Sequence, residues 1–323
     1  MNADFKLGLG LDPNGRIADD LSQLVGNTPM VNLNGFQSEY GLLGSLAAKL
    51  EYFNPLGSAK DRAARQIVNA AELDGSLKPD GVIAEATSGN MGVSLAFIAS
   101  LRGYKLKIFM PENMSAERIR LIKALGAEVF LTPANEGMQG AVDAVSRLKE
   151  NDPAVFVPNQ FSNPANAIAH ELTTGPEILR DAYGKINYFI AGVGSGGTIT
   201  GVGRVLKAFR ADIRVIAVEP DASPVLSGGE PGKHNIMGIG AGFVPEILDR
   251  SVIDDIVRVT DEQAYEAART VAKTDGLLVG VSSGAALYAA RMIAQRAADR
   301  HARVVVLLPD GGERYLSTAL FDV

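Results

Sequence analysis

One heptapeptide constrains this chain more than any other stretch: Gly192-Val-Gly-Ser-Gly-Gly-Thr198. An apolar run, Ile186–Ala191, leads into it, and a helical pattern, Ile199–Phe209, leads out. Strand, glycine-rich turn and helix start together form a cradle for an anion, because glycines let the backbone turn tightly and the first N–H groups of a helix have no partner within it. Ser195 and Thr198 add two hydroxyl donors. The chain is therefore expected to hold a phosphorylated small molecule.

The rest of the chain repeats the strand-then-helix rhythm. Val82–Ala86 precedes a helical pattern at Met91–Leu101, Lys105–Met110 precedes Ala116–Leu125, and Glu128–Leu131 precedes Met138–Leu148. Arg214–Val218 follows the glycine-rich unit, Ala285–Ala298 is helical, and Arg303–Leu308 is a short buried strand. Thr260–Thr274 reads as a helix with a capping box, Thr260 with Gln263, and a stop at Gly276. Such alternation means an α/β fold with parallel sheets. Loops are expected at 157–166 and 221–236, with no internal repeat and no linker.

Composition narrows the function. The 323 residues suffice for one large domain or two, and 46% hydrophobic residues with 6% aromatics and no Trp imply an aliphatic core. A net charge of −6 argues against nucleic acid or an anionic membrane as the main partner. Zero Cys excludes disulfides, thiolate metal sites and a Cys nucleophile, and three scattered His (170, 234, 301) argue against a metal centre. The first twenty residues carry acids and no apolar signal core, and no run reaches ~18 apolar residues, so a soluble cytoplasmic protein is expected.

Two readings of the cradle compete. Gly192, Gly194 and Gly197 fit the dinucleotide fingerprint, and Glu219 ends the next strand where a ribose-binding acid would sit. Against this, Ser195 and Thr198 shape the loop as a cup for one terminal phosphate, and three further loops have no place in a dinucleotide site. In Asn54-Pro-Leu-Gly-Ser-Ala-Lys60-Asp-Arg62, Lys60 sits at a helix start, where the helix dipole lowers its pKa toward a nucleophilic neutral amine. Any one lysine is more often a solvated surface residue. Thr87-Ser88-Gly89-Asn90-Met91-Gly92 offers hydroxyls and N–H groups to a carboxylate, although any βα junction could use such a cap. Gly280-Val-Ser-Ser283-Gly-Ala-Ala opens another helix, where Ser283 alone would be an ordinary N-cap.

Together, and in this order, these loops resemble the cysteine synthase (O-acetylserine sulfhydrylase) family of pyridoxal-phosphate enzymes. Gly26-Asn-Thr-Pro29, Met110-Pro-Glu, Gln160-Phe, Asn163-Pro-Ala-Asn166, Thr173-Thr-Gly-Pro-Glu177 and Gly238-Ile-Gly-Ala-Gly-Phe-Val-Pro245 extend the likeness from about residue 20 to 318. The resemblance implies two open twisted α/β domains of the tryptophan-synthase β-like fold with the cofactor in the cleft between them. The smaller, mobile domain would span 54–164, and the larger 1–53 with 165–323. It implies that Lys60 carries pyridoxal 5'-phosphate covalently and acts as the catalytic base. Gly194, Ser195, Gly196, Gly197 and Thr198 would hold the phosphate, Asn90 the ring 3′ oxygen, and Ser283 the pyridine nitrogen. Thr87, Ser88, Gly89, Asn90, Gln160 and Gly238 would bind the substrate, with no metal. A serine at the ring nitrogen leaves the ring a shallow electron sink, which suits β-elimination.

The implied reaction joins O-acetylserine and sulfide through an aminoacrylate to give cysteine. The alternatives on the same scaffold are a cystathionine β-synthase and a β-cyanoalanine synthase or cysteine desulfhydrase. Ser-Gly-Asn-Met91-Gly is similar to plant β-cyanoalanine synthases, and Met237 replaces a common Gln, so the two methionines are expected either to repack beside the ring or to alter substrate preference. O-phosphoserine as donor would favour a basic residue near the carboxylate loop, and the sequence offers no clear candidate. The resemblance also implies a homodimer and a possible partner, the serine acetyltransferase C-terminal tail, including a purely regulatory role.

Overall fold

The computed structural model describes residues 17–296 and 302–322. The first sixteen residues, His301 and the last two residues of the expected 285–298 helix lie outside them. In chain order the elements are β1 (Met30–Asn32), α1 (Asn34–Glu39), β2 (Ser45–Leu50), α2 (Lys60–Asp74), β3 (Val82–Ala86), α3 (Asn90–Arg102), β4 (Lys105–Pro111), α4 (Ala116–Ala124) and β5 (Glu128–Thr132). There follow α5 (Gly137–Asn151), α6 (Ala165–Ala169), α7 (Gly175–Asp181), β6 (Tyr188–Gly192), α8 (Gly197–Phe209) and β7 (Arg214–Pro220). The chain ends with β8 (Asp255–Val259), α9 (Asp261–Asp275), α10 (Val281–Arg296) and β9 (Arg303–Leu308).

Two sheets result. The larger has the order β1-β2-β9-β6-β7-β8, and the smaller β3-β4-β5. Every pairing is parallel except β1 with β2. The antiparallel edge was not expected from the alternation, and neither β1 nor β2 was foreseen. Ser-Leu-Ala-Ala-Lys-Leu is a poor strand former by composition, and it is extended here because β9 and β1 flank it. The segment after α5 adds a rung beside β3: Phe156 N donates to Val82 O at 2.8 Å, and Ala84 N to Phe156 O at 2.9 Å.

Both sheets carry helices on both faces, which explains the near-continuous aliphatic strands. Side chains of α1, α9 and α10 pack on one face of the large sheet, and those of α7 and α8 on the other. On the small sheet α2 and α3 cover one face and α5 the other. The core under α2 and α3 reaches outside 54–164, since Val25 and Ala165 belong to it. The capping box at Thr260 and Gln263 forms as read from sequence, and Gly276 closes α9 in the left-handed conformation. The helix expected from Ala285 begins four residues earlier, at Val281.

Between α6 and α7 the chain makes a π-helical turn, His170–Thr174. This turn lies directly on α8. At Gly201 a Cβ would collide with Ala167 O, and it would stand 2.7 Å from Glu171 N. The close approach places the side chains of Asn166 and His170 beneath the glycine-rich loop.

Candidate active site

The C-terminal ends of β3, β6 and β9 converge on one cleft of about 610 Å³, the position where open parallel sheets bind ligands. Lys60, Asn90, Gln160, Gly194, Ser195 and Gly238 all line it, as do Thr87, Ser88 and Gly89. The four loops singled out in the sequence thus meet in space.

The turn that presents Lys60 is held from three sides. Gly57 N donates to Asn54 O at 2.8 Å, Leu56 N to Asp61 Oδ2 at 2.7 Å, and Ala59 N to Pro309 O at 2.9 Å. Lys60 is the first residue of α2 and has no hydrogen bond or ion pair at Nζ among the described residues. Burial pushes its pKa down, and the carboxylates of Asp310 and Glu51 push the other way. The direction agrees with the expectation from the helix dipole, but the main cause is loss of solvent.

The glycine loop is shaped by protein neighbours as well as for an anion. Gly196 adopts φ +87, and a Cβ on Gly197 would run into Asn166 Oδ1. Asn166 Nδ2 donates to Gln160 O at 2.8 Å and to Ser195 Oγ at 2.9 Å. With a lone pair of Ser195 so occupied, its hydroxyl hydrogen is free to point into the cup. Thr198 Oγ1 lies 3.2 Å from His170 Nε2, whose Nδ1 is 2.9 Å from Thr174 Oγ1. Burial, then the Arg62 charge, holds the His170 pKa down at about 3, so the ring is neutral. Among the described residues nothing accepts a hydrogen bond from the N–H groups of Ser195, Gly196 or Thr198. These unpaired donors and two oriented hydroxyls at a helix start fit a phosphate. Glu219, the acid of the dinucleotide reading, accepts from Leu226 N at 2.7 Å, Ser227 N at 3.1 Å and Ser227 Oγ at 2.5 Å. It closes its own loop and is not available to a ribose.

The carboxylate loop starts α3, with Gly89 as its extended N-cap. Thr87 Oγ1 accepts from Gly89 N at 3.2 Å. Arg118 Nη1 donates to Ser88 O at 2.5 Å from outside the cleft. This basic residue near the loop was missed because it lies 30 residues downstream. Within the cleft, Lys60 is the one basic side chain among the described lining residues.

At the α10 start the structure separates two neighbouring serines. Ser282 lines the cleft, whereas Ser283 is fully buried with Oγ 3.4 Å from the Asp310 carbonyl oxygen. Met91 is buried on the cleft wall, as expected, but Met237 is 41% exposed and does not line the cleft. Met237 sits where the 221–236 loop turns toward Gly238, so its side chain faces solvent. Sequence reasoning also missed Asp310, whose buried Oδ1 has no partner among the described residues. The pair Phe161 and Phe243, edge to face at 5.1 Å, was likewise not foreseen at the cleft mouth.

Beneath Lys60 lies a buried ionic network. Arg62 bonds Glu51 through Nε at 2.7 Å and Nη2 at 2.8 Å, and Lys49 Nζ meets Glu177 at 2.8 Å and Thr28 O at 2.6 Å. Thr28 Oγ1 donates to Glu51 at 2.6 Å and Asn27 N to Glu177 at 2.9 Å. The Gly-Asn-Thr-Pro and Thr-Thr-Gly-Pro-Glu motifs are parts of this network. Despite burial, Arg62 and its hydrogen bonds hold the carboxyls of Glu51 and Glu177 down at about 2.

The comparisons with known proteins agree with this geometry. The family model described as pyridoxal-phosphate dependent enzyme matches residues 21–310. A cysteine synthase of Staphylococcus aureus (strain Mu50 / ATCC 700699) is 49% identical over 305 residues, covering 94% of this chain and 97% of the relative. The crystal structure of a cysteine synthase from Entamoeba histolytica superposes with a TM-score of 0.94 at 42% identity, over 96% of this chain and 93% of that one. A hydrogen sulfide-producing enzyme from Fusobacterium nucleatum superposes at 0.90 and 42% identity, over 94% of this chain and all (100%) of that one.

Proposed function

This chain belongs to the pyridoxal-phosphate-dependent enzymes, and from that premise we propose the reaction its cleft performs: L-cysteine synthesis from O-acetyl-L-serine and sulfide, by replacement at the substrate's Cβ. The observation that carries the donor is the charge of the cleft. Lys60 is its one basic lining residue among those described. A neutral ester such as O-acetylserine needs no cation at its leaving group, whereas the phosphate of O-phosphoserine would meet no lining cation besides Lys60, since Arg118 reaches the loop only from outside, at Ser88 O. This favours the acetate ester.

The residues divide the work as follows. Ser195, Thr198 and the N–H groups of Gly194–Thr198 would hold the cofactor's phosphate, Asn90 its ring oxygen, and Ser283 or its neighbour Ser282 the ring-nitrogen side. When bound, pyridoxal phosphate supplies an electron sink for the bond breaking at Cα. Lys60, whose pKa burial pushes down, would take the Cα proton and return it after the nucleophile has added. Thr87, Ser88 and Asn90, with Gln160 opposite, would take the substrate carboxylate on the first N–H groups of α3. Closure would move the part of 54–164 beyond α2, which the Arg62–Glu177 pair ties to the rest, with Phe161 and Phe243 screening the cleft mouth from water.

Other elements of this reading go further. A C-terminal peptide carboxylate, such as the tail of serine acetyltransferase, would compete for the Thr87–Asn90 loop. A second copy of the chain would cover exposed apolar side chains such as Leu73 and Tyr183, which are 91% and 85% exposed. A cytoplasmic setting belongs to the same reading; among the described residues no helix is long and apolar enough to cross a membrane.

The test is a competition assay on the holoenzyme, with O-acetylserine as donor and sulfide, homocysteine and cyanide as equimolar acceptors. Cysteine should dominate the products, and O-phosphoserine should be poorer by about 100-fold in kcat/KM. Dominant cystathionine or β-cyanoalanine would overturn the assignment of the acceptor, and equal use of O-phosphoserine that of the donor.

A further inference from the structure

Asp310 and Arg314 come from one short turn after β9, and both reach across to the same side chain. Asn90 Nδ2 donates to Asp310 Oδ2 at 2.7 Å, and Arg314 Nη1 donates to Asn90 Oδ1 at 2.9 Å. The two contacts span 220 and 224 residues of sequence. A carboxamide has two orientations that differ only in exchanging oxygen and nitrogen. Here the exchanged state would face a carbonyl to a carboxylate and an NH2 to a guanidinium, replacing two charge-assisted bonds by two repulsions. A charge of each sign, one on each side, leaves the amide a single orientation.

We propose that Asp310 and Arg314 are positioning residues that lock Asn90 with one Nδ2 hydrogen on Asp310 and the other directed into the cleft, at the oxygen of the cofactor ring. The inference rests on the reading above for the ligand, and on the hydrogen-bond geometry for the lock. Three features support a role beyond packing. Asp310 lines the cleft while only 2% exposed. Its Oδ1 is buried with no partner among the described residues, a costly arrangement for a residue that only fills space. Asp310 also pairs with Ser58 of the Lys60 turn in an isolated antiparallel bridge, its neighbour Pro309 accepting from Ala59 N at 2.9 Å. The Pro309–Asp310 pair therefore ties the ring-holding amide, the lysine turn and, through the Asp310 carbonyl on Gly280 N at 3.1 Å, the start of α10.

Tyr315 provides the internal control. Its hydroxyl donates to the same Oδ2 at 2.6 Å but does not touch Asn90. If Asp310 is merely structural, Tyr315→Phe and Asp310→Ala should act alike. If it positions Asn90, only changes that free the amide should be felt at the ring.

The experiment reads the visible absorption band of the holoenzyme between pH 6 and 10, and the dissociation constant of pyridoxal phosphate from each apoprotein. Asp310→Ala should change the band shape or its pH dependence and raise the dissociation constant about ten-fold or more. Arg314→Met should move both in the same direction. Asp310→Asn, which keeps an acceptor oxygen for Asn90, should recover most of the effect, and Tyr315→Phe should stay near the unsubstituted protein. If Asp310→Ala fails to fold, the contrast between Arg314→Met and Tyr315→Phe carries the test. Identical bands in all variants, or equal changes in Tyr315→Phe and in Asp310→Ala or Arg314→Met, would overturn the proposal. An unsubstituted protein that takes up no pyridoxal phosphate would instead overturn the function on which it rests.

Discussion

Arg62 grips Glu177 through two parallel hydrogen bonds, Nη1 to Oε1 and Nη2 to Oε2, each at 2.7 Å and across 115 residues of sequence. The pair fixes α2, whose first residue is Lys60, to α7 and to the Gly26–Thr28 segment. Its Nε and Nη2 reach Glu51 as well, so one guanidinium neutralises two buried carboxylates.

Removing that guanidinium should be severe. Arg62→Ala leaves Glu51 and Glu177 facing each other with only Lys49 to offset them, and breaking a buried pair in this way costs about 3–5 kcal/mol. A thermal melt of the variant should show a large fall in Tm, while Glu177→Gln, which keeps a hydrogen-bond acceptor, should fall less. Equal Tm values for all three proteins would contradict this account of the network.

The same carboxyls set the acid limit of stability. Both titrate at about 2 in the folded chain, below the ordinary value of 4.5. Their contribution is complete above about 4.5 and is lost as pH falls from there through about 2. Urea midpoints measured from pH 6 down to pH 2.5 should drop most steeply below 4.5, and the Glu51→Gln variant should flatten that slope.

Glu85 acts in the opposite sense. Buried on β3 with Oε2 unpartnered among the described residues, its carboxyl is pushed up from 4.5 to about 8. A folded state that prefers the protonated acid is stabilised most below the unfolded value, and that advantage drains away as pH rises from about 4.5 through about 8. Glu85→Gln should therefore melt higher than the parent protein at pH 8.5, with the difference shrinking toward pH 5. A constant difference across that range would mean that Glu85 does not titrate there.

Under the phosphate cup, His170 titrates at about 3 and stays neutral at any working pH. For Thr198 to donate its hydroxyl hydrogen outward, Nε2 must carry the ring proton and Nδ1 must accept from Thr174. Nitrogen NMR of the holoenzyme should find that tautomer, unchanged from pH 6 to 9. His170→Phe should raise the dissociation constant of pyridoxal phosphate about ten-fold, the value of one oriented hydrogen bond to a charged group. A ring that takes a proton near pH 6.5 would sink this reading.

What was legible in the sequence follows the range of the forces involved. The Thr260 capping box, the Gly276 stop and the Gly192–Thr198 turn are local devices, and each forms where its residues stand. The cleft was legible because its loops each open a helix, so chemistry and secondary structure share one signal. β2 was not, because its extended shape comes from neighbours far along the chain, and Lys49 inside it is tolerated only through Glu177. Asp310, Arg314 and Arg118 escaped notice for the same reason: their partners lie 30 to 224 residues away. Lys60 was correctly expected to have a lowered pKa, but a dipole can be read from a helix start whereas burial cannot.

The most direct test of the whole account is a visible spectrum of the purified protein with pyridoxal phosphate, before and after O-acetylserine is added without sulfide. The account predicts a yellow band that Lys60→Ala abolishes, and that O-acetylserine converts into a new, lasting band which sulfide then returns to the first. A yellow protein that ignores O-acetylserine would contradict the donor, and a protein that stays colourless would contradict the central claim that Lys60 and the Gly194–Thr198 cup hold this cofactor.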